Sequence, residues 1–341
     1  MKTPIPISIL ELAIITQDSN ASETMRKTKE LAQLADGLGY KRFWLAEHHN
    51  MAHVASTATV VLIGYIASQT QHIRVGSGGI MLPNHSPLII AEQFGTLGLL
   101  FPNRIDLGLG RAPGTDSLTA QAIRTDFFEE SQRFPKNVKA LQDYFSEGNA
   151  TAKVRAFPAE GTNVPIWILG SSMDSATLAA AYGLPYAFAG HFAPKQMLQA
   201  FEFYRENFKP SAYLDQPKTM ACVNVIAADT DSEAEVLSTS LYQMFLNLVQ
   251  NNRKPLQPPV VSLTELMNDM SEEARFHVNQ MTAGSFIGSK ETLMKELKEF
   301  VKYSKVDELM ITSPIFNHQD KFKSLKITKE VVDAITEAVL I

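Results

Sequence analysis

Trp44-Leu45-Ala46-Glu47-His48-His49-Asn50 is the stretch on which the fold turns. It starts as a buried strand and ends in a carboxylate and two imidazoles, with no turn residue between. An apolar run that delivers ionisable groups at its C-terminal end is how a parallel α/β barrel builds a site at its mouth. The pattern repeats outward in both directions. Strand-like runs occupy Ile7–Leu12, Arg42–Ala46, Ile73–Ser77, Arg104–Leu109, Pro165–Leu169, Pro185–Ala189, Ala221–Ala227 and Glu308–Thr312. Helical patterns lie between them, near 22–38, 55–69, 87–100, 131–147, 173–182, 195–208, 231–250 and 290–304, and a last one near 319–338. These βα units in single file predict a closed (β/α)8 TIM barrel; an open doubly wound sheet is the other arrangement the pattern allows.

Local signals agree with this layout. Ser86-Pro87 reads as an N-cap with proline at the first helical position. Asp231-Ser232-Glu233 puts acidic groups into a first turn, and Gly37 and Gly39 stop the first helix. Two stretches break the rhythm, 111–130 and 251–285, and both read as insertions in βα loops of the kind that form lids or binding loops. No repeat, low-complexity tract or linker divides the chain, so residues 1–341 read as one domain.

Composition narrows the function classes. The net charge of −5, with Lys and Arg scattered, argues against a nucleic-acid surface. No run approaches the ~20 apolar residues of a membrane span. The N-terminal residues show no secretory pattern, and the expectation is a cytoplasmic protein. The one cysteine, Cys222, lies in the apolar run Met220–Ile226 and reads as a small buried hydrophobe.

Polar or side-chain-free clusters follow the strands: Glu47-His48-His49, Gly76-Ser77-Gly78-Gly79, Gly108-Leu109-Gly110-Arg111, Gly170-Ser171-Ser172 and Gly190-His191. In a barrel these share one rim. In Ile105–Gly110 the apolar side chains alternate with Asp106, Gly108 and Gly110. The glycine face either leaves room for a flat aromatic ligand or only relieves crowding, and the clustering favours the ligand. Gly170-Ser171-Ser172 leads into a helix, whose free N–H groups and hydroxyls suit a phosphate; a plain serine cap is the simpler alternative. Arg111 offers the fixed positive charge a phosphate wants, or a surface salt bridge.

Two other chemistries fit poorly. Gly108-x-Gly110 follows a strand, but Pro113 stands where a helix would open, and no acidic residue ends a strand about twenty residues on, so a dinucleotide fingerprint is absent. His48 and His49 are neighbours on extended backbone and point to opposite sides, so they cannot easily share a metal ion. No metal is expected, although Glu47 or His48 with His191 stays possible. His72, His85, His277 and His318 read as hydrogen-bonded or surface histidines.

Trp44–Asn50, Arg74–Pro87 and Arg104–Gly114, together with Gly170–Ser172, Gly183–Phe192 and Phe208–Ser211, resemble the bacterial luciferase-like flavin monooxygenases, and within them the single-chain alkanal-monooxygenase-like subgroup. The resemblance spans nearly the whole chain and is thinnest over 112–160 and 251–285. It implies FMN at the C-terminal mouth of the barrel, with reduced FMN and O2 forming a C4a-peroxyflavin that oxygenates a small organic substrate, an aldehyde or other carbonyl compound among the options. It also implies a separate flavin reductase, which fits the missing nicotinamide fingerprint.

Residue by residue, the resemblance makes His48 the acid/base group and Gly78-Gly79 a cis peptide supporting the isoalloxazine. It makes Arg111 and Ser171 phosphate ligands, with Ser172 or Ser175 completing the phosphate site. Gly110 stands where luciferase α subunits carry a cysteine beside the flavin, and Gly170 where they carry a glutamate near the phosphate, so light emission is not implied. Gly110, Gly170 and His191 join the expected cofactor site by position. A homodimer is expected, because Ala55–Ser68 and Leu88–Phe101 are apolar almost all round. Two alternatives remain: a deazaflavin-dependent reductase of the same superfamily, and a non-catalytic flavin-binding protein. The organic substrate and the role of Glu47, whether orienting the site or tying the rim together, stay open.

Overall fold

Branched and aromatic residues dominate the short runs between helices, and they fold as strands. The computed structural model describes residues 5–340, with side chains as far as Ile335. Part of the N-terminal stretch and Ile341 lie outside the described residues. The strands are β1 (Ile7–Glu11), β2 (Arg42–Leu45), β3 (Arg74–Met81), β4 (Ile105–Gly110), β5 (Ile166–Gly170), β6 (Tyr186–Ala189), β7 (Thr219–Ala227), β8 (Ser285–Gly288) and β9 (Glu308–Thr312). All pairings between them are parallel. Neighbours run β1 to β7 in chain order, β9 pairs with both β7 and β1, and the barrel closes. The expected eight strands thus form the TIM barrel.

β8 was not expected. The nine residues of β7 serve two partners along their length: 219–222 pair with β6, and 224–227 pair with β8. β8 therefore extends the wall above the end of β6 instead of entering the barrel proper. β3 also runs further than expected, to Met81, and its register against β4 shifts between Ser77 and Ile80. The Gly78–Gly79 peptide at that shift is cis.

Alternation sorts side chains into two layers. Val75, Ile105, Leu107, Leu109, Ile166 and Ile168 pack outward with helix residues such as Ile63, Phe94 and Phe201. Leu10, Trp44, Trp167, Ala187, Met220, Cys222 and Met310 pack inward. Trp44 and Trp167 meet edge to face, their centroids 5.5 Å apart. Below them the strand starts carry a buried charge network. Asp106 accepts from Arg42, Arg74 and Trp44, while Glu308 accepts from Arg42 and Ser8. This plug closes the N-terminal end of the barrel.

Helix ends follow the expected signals. Ser86 precedes Pro87 at the start of Pro87–Leu100. Thr230 and Glu233 form a reciprocal capping box for Asp231–Val249. Gly39 takes a positive φ of 77° after the first helix. Both insertions hold helices of their own: Ser117–Ile123 and Phe127–Gln132 in the first, Leu263–Asn268 and Glu272–Thr282 in the second. Among the described residues no helix is long and apolar enough to cross a membrane.

Candidate active site

β2 ends at the mouth, and its last residues fan out by strand alternation. Glu47 and His49 fall on one side: His49 Nε2 donates to Glu47 Oε1 at 2.8 Å. His48 falls on the other. Its backbone N–H donates to the Ser56 carbonyl, while its Nδ1 is shut off from solvent with no hydrogen-bond partner. Burial pushes the His48 imidazole down to about 4, with the Glu47 carboxylate working in the opposite direction. His48 is therefore neutral at neutral pH.

Glu47 is buried and collects donors from several segments. Oε1 also accepts from His85 Nε2 at 2.9 Å and Asn84 Nδ2 at 3.2 Å, and Oε2 from the Met81 N–H at 3.0 Å. Burial alone would raise its pKa, but the bonds from His49 and His85 outweigh it and hold the carboxyl at about 2. Among the described residues, no group of three His, Cys, Asp or Glu side chains is placed to hold a metal ion.

The glycines of β3 and β4 do not widen the mouth as expected. A Cβ on Gly76 would lie 2.5 Å from the Asp106 carbonyl oxygen, and one on Gly108 would lie 2.2 Å from that of Ser77. A Cβ on Gly110 would meet Met81 Cε at 2.8 Å. These glycines let two strands approach across the bulge, so relief of crowding is their physical reason. Gly78 differs in part. Its missing side chain faces Leu10 and Trp44, but the residue also lines the cavity on the barrel axis.

That cavity encloses about 280 Å³, part of it open to solvent. Its wall draws on β1, β2, β3, β5, β6, β7 and β9, and it is apolar apart from His191 and Cys222. Small residues at Gly78, Ala187 and Ala189 leave the space. Burial, and secondarily the charge of His48, pushes His191 down to about 3, and its Nδ1 also lacks a partner. Asn224 donates to the His191 carbonyl at 2.6 Å and to Ser285 Oγ at 3.0 Å, so β7 and β8 together hold the His191 turn. Burial raises the Cys222 thiol well above its ordinary value, which keeps it protonated.

The corner expected to take a phosphate lies across the rim. Ser172 caps the helix Met173–Tyr182 by position and makes no side-chain cap bond. Ser171 stands beside it, half-buried like Gly170. Arg111 is exposed and reaches Asp174, in the first turn of the same helix, at 3.2 Å. Ser175 is turned inward. Its hydroxyl donates to the Ser172 carbonyl at 2.7 Å and lies 3.0 Å from Tyr186 Oη, directly behind Gly170. Of the candidate hydroxyls, those of Ser171 and Ser172 are the ones left unengaged within the fold.

The sequence profile of luciferase-like monooxygenases matches residues 6–307. The chain belongs to the luciferase-like monooxygenase family. A luciferase-like monooxygenase of Escherichia coli K12 is 45% identical over 331 residues, covering 97% of this chain and 98% of its own length. The N-acetyl-S-alkylcysteine monooxygenase of Bacillus subtilis is 31% identical, covering 96% and 98%. Among solved structures, apo-MsnO8 superposes with a TM-score of 0.86 at 31% identity over 96% of this chain and 98% of its own. At lower identity, where likeness speaks to fold alone, stand a diketocamphane monooxygenase constituent in complex with FMN (TM-score 0.71, 16% identity, 97% and 98% covered) and an F420-dependent secondary alcohol dehydrogenase (0.68, 14%, 98% and 99%). This luciferase-like monooxygenase is accordingly an enzyme.

Several residues at the mouth were not singled out from the sequence. Asn84 and Asn224 now stand out. Asn224 had a readable signal: it is a polar residue in the otherwise apolar run Met220–Ile226. Asn84 had none beyond its place after a strand. His85, read as a hydrogen-bonded histidine, is bonded to Glu47.

Proposed function

We propose that this luciferase-like monooxygenase uses reduced FMN and O2 to oxygenate a small, uncharged organic substrate at the barrel mouth, with His48 as acid/base group. The observation that carries the reading is the pair of neutral imidazoles, His48 and His191, each with a buried Nδ1 that has no partner among the described residues. Such atoms call for a ligand or ordered water. Reduced FMN, when bound, supplies the electrons that activate O2. The protein's share is to hold the ring against Gly78-Gly79 and the phosphate between Arg111 and the Ser171–Ser172 turn. An apolar mouth excludes water. His48, neutral at working pH, accepts a proton and returns it.

The rim supports this reading of the cofactor: unengaged hydroxyls and a guanidinium surround a helix N-terminus. The absence of a nicotinamide fingerprint supports a separate reductase. Exposed Val61, Tyr65, Ile89, Leu99 and Leu100 on the helices Thr59–Ser68 and Pro87–Leu100 support a homodimer through that face.

The test is His48→Ala, assayed for FMN binding and for substrate-dependent O2 consumption with FMN reduced by an added reductase. Binding is expected to persist and oxygenation to be lost; normal turnover would refute the assignment. Parallel titration with FMN and a deazaflavin decides the cofactor, and tighter deazaflavin binding would turn the reading toward a reductase.

A further inference from the structure

Glu47 is a carboxylate buried to 1% exposure, and among the described residues it pairs with no lysine or arginine. Its partners are two imidazoles, one carboxamide and one backbone N–H. Those partners come from separate places. His49 belongs to the β2 end that carries His48. Met81 closes β3, two residues beyond the Gly78–Gly79 peptide. Asn84 Nδ2 also donates to the Pro113 carbonyl at 3.0 Å, and the His49 N–H donates to the Gly114 carbonyl at 3.1 Å. Gly114 has a φ of +66°, and a Cβ there would lie 2.5 Å from the Glu47 carbonyl oxygen. Three segments thus converge on one residue: the strand end bearing His48, the strand end bearing the cis peptide, and the start of the first insertion.

We propose that Glu47 is a positioning residue of the site, the buried carboxylate that ties the backbone behind His48 to the Gly78–Gly79 end of β3 and, through His49 and Asn84, to the first insertion. The proposal rests on the assignment of His48 as the acid/base group. Glu47 acts from behind, because alternation puts it on the opposite side of the strand from His48. As an anion it can only accept, so the Nε2 of His49 and of His85 must each carry a proton to meet it. Its charge is also the attraction that moderates the loss of basicity His48 suffers on burial. A glutamine cannot substitute. It offers one acceptor oxygen, and its NH2 would face either the Met81 N–H or the imidazole donors.

The experiment compares wild type, Glu47→Gln and Glu47→Asp as whole proteins. Nitrogen-15 histidine NMR reads tautomers and titration midpoints without cofactor. Stopped-flow absorbance reads the reoxidation of reduced FMN by O2. In wild type, His49 and His85 are expected as fixed Nε2–H tautomers. In Glu47→Gln both should become mixtures, the His48 resonances should shift with a lower titration midpoint, and reoxidation should change roughly tenfold or more, as displaced reacting groups do. FMN affinity should stay within about threefold if the Arg111 corner is untouched. If Glu47→Gln does not fold, Glu47→Asp, which keeps the charge on a shorter stem, is expected to show smaller shifts of the same sign. His48 resonances and reoxidation unchanged in the folded variant would overturn the proposal and leave Glu47 a rim brace. A wild type that does not bind FMN would overturn the cofactor reading instead, while the NMR comparison still decides the role of Glu47.

Discussion

Arg42 reaches Asp106 at 2.6 Å inside the barrel, with both side chains cut off from solvent. Arg74 takes the other Asp106 oxygen at 2.6 Å, so one carboxylate balances two guanidiniums. Removing it takes the carboxylate from Arg74 and leaves Arg42 with Glu308 alone. Asp106→Ala is expected to destabilise the protein by about 3–5 kcal/mol, the usual scale for breaking a buried pair. Denaturant unfolding followed by circular dichroism checks this, and a loss below 1 kcal/mol would show that the network is dispensable.

The two depressed imidazoles fix a pH window. Folded His48 titrates at about 4 and His191 at about 3, against an ordinary value of 6.5. Unfolded histidines bind protons that the folded ones refuse. Their contribution to stability is therefore complete above about 6.5 and is lost as pH falls toward the folded values. Near pH 5, unfolding should take up about two protons through this pair, and His48→Gln or His191→Gln should each remove about one. The slope of unfolding free energy against pH measures it. With His48 as the proposed acid/base group, the acid limb of activity is expected near 4, which a pH–rate profile checks.

At the phosphate corner, Arg111→Ala should weaken FMN and leave riboflavin, which lacks the phosphate, unchanged; loss of a charge-assisted bond is worth about 1.5–3 kcal/mol. Ser175→Ala should barely affect FMN, because that hydroxyl already donates to the Ser172 carbonyl. Fluorescence titration with both flavins separates the cases. Equal binding of FMN and riboflavin by wild type would remove the phosphate site altogether.

Gly108→Ala should fold poorly. Its Cβ would press on the Ser77 carbonyl at 2.2 Å, and backbone within a barrel wall has nowhere to go. Soluble yield and melting temperature report the effect.

Val61 is 70% exposed and Leu100 65% exposed, on the two apolar helices. A glutamate at either position should turn a dimer into a monomer while leaving the barrel intact. Light scattering distinguishes this from a wild type that is already monomeric.

The barrel was legible because its signal is redundant. Val75, Leu107 and Ile168 repeat the same inward–outward logic on successive strands, so errors at single boundaries did not matter. β8 escaped because Ser285–Gly288 is four residues long and starts at the last residue of a stretch read as insertion. The helices of the insertions did carry caps: Asp116, Ser262 and Ser271 each accept from the backbone N–H three residues on. The glycine face was misjudged for a clear reason: sequence shows that a side chain is missing, not what would have met it. The convergence on Glu47 was hidden for a similar cause. Its partners lie 2, 34, 37 and 38 residues away, and no local pattern joins them.

The length of β7 has a consequence for how this enzyme can diversify. The second insertion leaves the barrel after Val249 and returns as β8, pinned to Asn224–Ala227. Near its start, Leu256 is bound by backbone to Ile15 and Gln17, and Ser240 and Gln243 hold the carbonyls of Gln257 and Pro258. The segment behaves as a cassette clamped at entry and exit. Its middle buries Met270, Ala274 and Val278 against Ile226, Leu241 and Phe245, so a replacement has to keep those contacts, while the exit clamp holds the His191 turn through Asn224 and Ser285. A mouth built this way can change its clientele while its chemistry stays where it was.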